Sequence, residues 1–198
     1  PLLVNAELSP RDAWDNLKKL LETGGYQVIG QEITVGPDLS IKNVQISSEV
    51  DAQTDITFDI GSLDLTKNKD GFINISLPEE IYVQYLNEDE FGYKTEANIL
   101  LRARELDFKV SGKISQVLYQ LTASSAGFAL VELLDNGVAS PDFSAEMEFV
   151  LADVNSTIRV AGVSSIEVTS LLSASGASLK GGLSVLSVPL KLNFQYVM

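Results

Sequence analysis

Hydrophobic positions recur along this chain with two different spacings, and the change from one to the other falls at Gly24-Gly25. Before that point Ala13, Trp14, Leu17, Leu20 and Leu21 share one face of a 3.6-residue period, with Arg11, Asp15, Lys18, Lys19 and Glu22 elsewhere. Ser9 is placed to cap this helix, Pro10 fits its first position, and Asp12 completes a capping pattern and complements the helix dipole. The glycine pair supplies the left-handed residue that ends it. An amphipathic helix carrying the chain's one tryptophan is thus predicted, either packed on its own sheet or docking on a partner or a membrane.

After Gly25 the spacing becomes two. Ile56, Phe58 and Ile60 alternate with Thr57 and Asp59; Phe143, Ala145, Met147, Phe149 and Leu151 alternate with residues such as Ser144, Glu146 and Glu148; and Val188 to Met198 alternates throughout. Such strands bury one face and wet the other, the antiparallel pattern, and turn sequences such as Gly36-Pro37-Asp38 and Asp135-Asn136-Gly137 separate them. About ten to twelve strands are expected on this reading. Several runs also change parity partway. Leu39 and Ile41 give way to Val44 and Ile46, Ile60 to Leu63 and Leu65 across Gly61-Ser62, and Ala103 to Leu106 and Phe108. A strand keeps its apolar side inward across such a slip only through a bulge or by changing sheets. The predicted fold is therefore mainly β: a long, curved, bulged antiparallel sheet, as a sandwich or a partly open barrel or groove, with one N-terminal amphipathic helix. The Ser/Ala/Gly-rich stretch 164–182 fits neither period and reads as a short helix, an irregular crossover or an edge strand.

Domain organisation follows from the two ends. Residues 1–6 read either as the tail of a secretory signal peptide, cleaved after the Val4-Asn5-Ala6 site, or as an apolar arm. Residues 7–198 read as a single β-rich domain, expected to be the N-terminal part of a longer chain because alternation is still strong at Met198.

Composition narrows the chemistry. Among 198 residues there are 14 Lys+Arg against 27 Asp+Glu, for a net charge of −13, and neither histidine nor cysteine occurs. A triad with an imidazole base, a His-ligated zinc, a thiolate nucleophile and a disulfide are thereby excluded. The cations form no basic stripe and the field is negative, so nucleic acid is a poor partner. No apolar run reaches the ~18 residues that mark a membrane-spanning helix. The segment Asp64 to Gly71 has oxygen ligands at alternate positions but lacks the glycine placement and terminal Glu of a calcium loop, and Asn87-Glu88-Asp89-Glu90 reads as a solvated turn. Glu79-Glu80 and Glu146/Glu148 are the carboxylate pairs nearest to glycosidase chemistry, yet each sits where exposed charge is ordinary. Phosphate-cradling glycine loops are absent. No catalytic residue, metal or cofactor is expected, and the protein reads as non-catalytic.

The segments Leu8-Ser9-Pro10-Arg11-Asp12-Ala13-Trp14 and Gly24-Gly25-Tyr26-Gln27-Val28, with Asp142 to Ala145, Ala152 to Val154 and Gly176 to Leu179, resemble an exported proteobacterial family catalogued as domain-of-unknown-function family 2125. The resemblance implies a periplasmic or cell-envelope location and carries over no catalytic residue. Two functions fit these features. In one, the curved sheet of an exported envelope protein binds a lipid or other apolar ligand, with Trp14, Leu17 and Leu21 as groove cover. In the other, the chain is a structural or assembly subunit that pairs with an envelope partner or with itself.

Overall fold

The computed structural model describes residues 7–139, 148–161, 167–180 and 190–197. The segment 1–6, the run Phe143 to Met147 and the final Met198 lie outside the described residues. The helix α1 (Pro10–Thr23) begins as its sequence dictates. Ser9 Oγ accepts from the Asp12 amide at 3.1 Å while the Ser9 amide donates to Asp12 Oδ2 at 3.0 Å. At the other end the left-handed residue is Gly25 (φ 90°), and the Tyr26 amide donates back to the Leu21 carbonyl at 3.1 Å.

Among the described residues thirteen strands follow in one antiparallel sheet. They are β1 (Gln27–Val35), β2 (Asp38–Asp51), β3 (Thr54–Lys67), β4 (Ile73–Ser76), β5 (Glu80–Glu88), β6 (Lys94–Arg104), β7 (Asp107–Lys113), β8 (Gln116–Asp135), β9 (Val138–Ala139), β10 (Glu148–Ala161), β11 (Glu167–Ala174), β12 (Gly176–Lys180) and β13 (Leu190–Val197). The number exceeds the ten to twelve expected because long runs are interrupted midway. One edge of β3 is shared by β4 and β5, one edge of β8 by β7 and β6, and one edge of β10 by β11 and β12. Each such pair is one run broken in the middle, and the whole is a meander of long strands. Where it is described, the stretch 164–182 is strand and not helix: β11 lies between β10 and β13, while β12 pairs only with β10 and is an edge strand among the described residues. Its alternation is weak because small Ser and Ala side chains give little contrast between its two faces.

The break between β6 and β7 falls at a predicted parity slip, and the other two predicted slips lie inside β2 and β3. Left-handed backbone occurs at Asn43 (φ 54°), Gly61 (φ 73°) and Glu105 (φ 51°), one at each slip read from the sequence, and again at Asp153 (φ 48°). In β2 and β3 the slips are paired, with the register shifting on both sides of Val44 and being restored beyond it. Leu39 and Ile41 before the slip therefore face the same side as Ile46 after it. A line of bulges crosses the sheet and divides it into two halves that share one continuous apolar face.

In the first half, that face wraps around α1. Trp14 Nε1 donates to Glu32 Oε1 on β1 at 3.0 Å, and Tyr119 on β8 donates to Asn16 Oδ1 at 2.7 Å. Those strands lie at opposite ends of the path β1-β2-β3-β4-β7-β8. In a flat sheet with strands 4.7–4.9 Å apart they would be separated by roughly 24 Å. A helix is only about 10–12 Å across with its side chains. Reaching both strands from one helix requires a tightly curled sheet. Inside the curl Ile41, Leu65, Ile73, Val110 and Val117 are fully buried, with Trp14 and Tyr119 each 2% exposed.

Candidate functional site

Beyond the bulge line the same face continues, and among the described residues no helix lies on it. Its rows can be followed strand to strand. Ile46, Phe58, Val83, Ile99 and Leu130 stand opposite one another across β2, β3, β5, β6 and β8. A neighbouring row runs Ile56, Tyr85, Ala97 and Leu133, and another Ile81, Leu101, Phe128 and Phe149, with the last two rings 5.5 Å apart. Val83 is buried, Phe128 is exposed, and most of the remainder are half-buried. From Ala97 to Ala103 along β6 and from β3 to β10 across the strands, this face measures roughly 20 Å by 20 Å. That area is comparable to the largest apolar patches of single-chain proteins, which commonly serve binding.

The face has distinct ends. Where α1 stops, Tyr26 packs edge-on against Phe58 with centroids 6.5 Å apart. At the far end the apolar rows give way to a polar one, in which Asp51, Thr54, Asn87, Thr95 and Asp135 stand opposite one another. Asn87 Nδ2 donates to Thr54 Oγ1 at 3.0 Å, and Thr54 is buried. This row holds the hairpin ends together, helped by the Glu88 amide on the Gln53 carbonyl (2.8 Å) and the Asn136 amide on the Lys94 carbonyl (2.7 Å).

The three side chains singled out on the helix have unequal positions. Trp14 is part of the packed core and its indole N–H is committed to Glu32. Leu17 and Leu21 are half-buried against the same core. Glu32 is the polar centre of the helix–sheet contact: burial opposes its charge, but hydrogen bonds from Arg11 (2.6 Å) and Trp14 outweigh that and hold its carboxyl below the ordinary glutamate range. Burial, with Glu32 nearby, pushes Asp15 up. Burial likewise pushes the Tyr119 phenol well above its usual value.

The carboxylates considered for catalysis converge in part. Glu79, Glu80 and Glu148 line one hollow of about 660 Å³ at the margin of the sheet, along with Arg102 and Arg104. Glu80 accepts from Arg102 Nε at 3.0 Å with both side chains about half exposed (49% and 48%), an ordinary water-screened pair. Glu146 lies outside the described residues. The segment Asp64 to Gly71 is the end of β3 and its turn, where Asn68 Oδ1 accepts from the amides of Asp70 and Phe72. In the Asn87 to Glu90 turn, Asp89 Oδ1 accepts from the Phe91 and Tyr93 amides. Among the described residues no cluster of three or more acidic side chains is placed to hold a metal, and no helix is long and apolar enough to cross a membrane.

The uncovered half of the sheet was visible in the sequence only as further alternation. Its distinguishing signal is the shortness of α1 relative to the strands. Comparison with protein-family models, curated proteins and solved structures finds no match.

Proposed function

We propose that this protein is a non-catalytic exported envelope protein that holds a lipid or another elongated apolar molecule on the uncovered half of its sheet. The observation that carries this reading is the continuous apolar face beyond the bulge line, bounded by α1 at one end and by a hydrogen-bonded polar row at the other. An apolar chain laid there removes hydrocarbon surface from water, at roughly 25 cal/mol per Å² on each partner. Leu17 and Leu21 contribute the helix side of the enclosure, while Trp14 fixes the helix in place. Export rests on the leader-like composition of residues 1–6.

The reading is tested on protein secreted to a bacterial periplasm and purified without detergent. Native mass spectrometry is expected to show adducts of lipid mass that disappear on organic extraction, and Ile99→Asp is expected to remove them while leaving the circular dichroism unchanged. Adduct-free protein that also fails to take up a fluorescent acyl chain would defeat the proposal.

A further inference from the structure

The strand β1 ends the sheet, and among the described residues it pairs only with β2. Val28 stands opposite Ile46 and Glu32 opposite the buried Ile41, so its even-numbered residues face inward. Gly30 confirms this orientation, because a Cβ there would meet Ile41 Cγ2 at 2.6 Å. The outward positions are then Gln27, Ile29, Gln31, Ile33 and Val35. Ile29, Ile33 and Val35 are 59%, 41% and 62% exposed. In its second half this strand reverses the usual arrangement, with Glu32 and Thr34 turned in to meet Arg11 and the aliphatic residues turned out.

Natural sheet edges are normally guarded by lysine, proline, a bulge or an inward-pointing charge. Between Gln27 and Val35 there is no lysine, arginine or proline. The bulge beside β1 belongs to β2, where Asn43 takes the left-handed conformation, so β1 itself is regular. The strand's one charge, Glu32, is turned inward and ion-paired to Arg11 at 2.6 Å. The outward stripe is therefore uncharged, and the one inward charge that could guard the edge is already paired with Arg11.

We propose that β1 is a homodimerisation edge, pairing antiparallel with β1 of a second copy about a two-fold axis at Gln31. Its occupant is specified by its own sequence. Pairing about Gln31 sets Ile29 opposite the second copy's Ile33 and Ile33 opposite its Ile29, places Gln27 against Val35, and engages every residue of the strand. Glu32 meets Gly30 rather than another carboxylate, so no like charges are opposed. A two-fold interface of this kind is self-complementary and closes at two copies. The interface is small, so the dimer is a concentration-dependent one. It stands independently of any ligand on the apolar face.

The absence of cysteine makes the register directly measurable. Gln31→Cys is expected to give a disulfide-linked dimer under mild oxidation, as is a mixture of Ile29→Cys with Ile33→Cys. Gln27→Cys alone and the remote control Val138→Cys are expected to stay monomeric. By analytical ultracentrifugation the cysteine-free protein should associate reversibly, and Ile33→Lys should weaken that association by about tenfold, the scale of losing two apolar cross-strand pairs. A protein monomeric at every soluble concentration overturns the proposal. So does a dimer untouched by Ile33→Lys, cross-linking at Val138→Cys equal to that at Gln31→Cys, or growth into longer assemblies. If Ile33→Lys fails to fold, the cysteine set decides alone.

Discussion

The bulge line can be tested at Gly61, where backbone and packing effects separate cleanly. Its φ is 73°, and a Cβ added there would find no heavy atom within 4 Å. Replacement by alanine therefore meets no neighbour, and its cost is that of a left-handed L-residue, about 1–2 kcal/mol. Stiffening of the unfolded chain offsets about 0.4–1 kcal/mol of this. The net expectation for Gly61→Ala is a loss of about 1 kcal/mol. Asparagine tolerates the left-handed region far better, so Gly61→Asn should recover much of the loss. Gly30 is the contrasting position: its Cβ would sit 2.6 Å from Ile41 Cγ2, in a fully buried side chain. Gly30→Ala should cost about 1–3 kcal/mol through overpacking, and Gly30→Asn more, since it adds a polar group to the crowding. Urea denaturation followed by circular dichroism measures all four. With a slope of about 2 kcal/mol per molar, 1 kcal/mol moves the midpoint by about 0.5 M. A neutral Gly61→Ala, or a Gly61→Asn less stable than the alanine variant, would refute the argument that a left-handed bulge keeps the apolar residues of β3 on one face.

Other expectations concern the helix, its clasp and the open face. Trp14→Ala should destabilise by about 3–5 kcal/mol, because it empties a core position that is 2% exposed and strips Glu32 of a donor, and chemical denaturation reads this directly. Tyr119→Phe should cost about 1 kcal/mol, and a double-mutant cycle with Asn16→Ala should be non-additive if their 2.7 Å bond spans helix and sheet. Because burial raises the Tyr119 phenol above its unfolded value near 10, its contribution to stability is complete below about pH 10 and is lost as the pH rises toward the folded value. Absorbance titration should show Tyr119 ionising late, and Tyr119→Phe should remove that phase. Ile99→Asp should cut uptake of a fluorescent acyl chain by tenfold or more with little change in melting temperature, since a half-buried carboxylate stays hydrated until a ligand covers it.

Much of this architecture is legible in the residues. The capping pattern at Ser9 and the glycine pair bound α1, and the parity slips locate Asn43, Gly61 and Glu105 as bulges, because a period of two leaves a chain no other way to keep its apolar side inward. The alignment of those slips across neighbouring strands is not legible, since it depends on register that only pairing reveals. The Ser/Ala-rich strand β11 was hidden by its lack of contrast between faces. The Asn16–Tyr119 bond joins residues 103 positions apart, and no local pattern announces such a contact. In β1 the reversed alternation of Glu32 and Ile33 is plain in the sequence, but its meaning requires knowing that the strand is an edge. For the candidate site, Ile56, Phe58 and Phe149 stand out as alternation, whereas which half of the sheet the helix leaves uncovered does not.

That last distinction reduces to a comparison of lengths. With 14 residues, α1 is about 21 Å long at 1.5 Å per residue. The 20 residues of β8 extend about 66 Å at 3.3 Å per residue. Even laid along the strands, one such helix covers about a third of the face they present. Alternation nevertheless persists on both sides of the bulge line, from Leu65 and Leu63 at one end of β3 to Phe58 and Ile56 toward the other. A sheet that needed apolar residues only to pack its helix would become polar on both faces beyond the helix's reach. This one does not, and the cost of keeping hydrocarbon half-exposed at Phe58, Ile99 and Leu101 is the strongest reason to assign that surface a ligand.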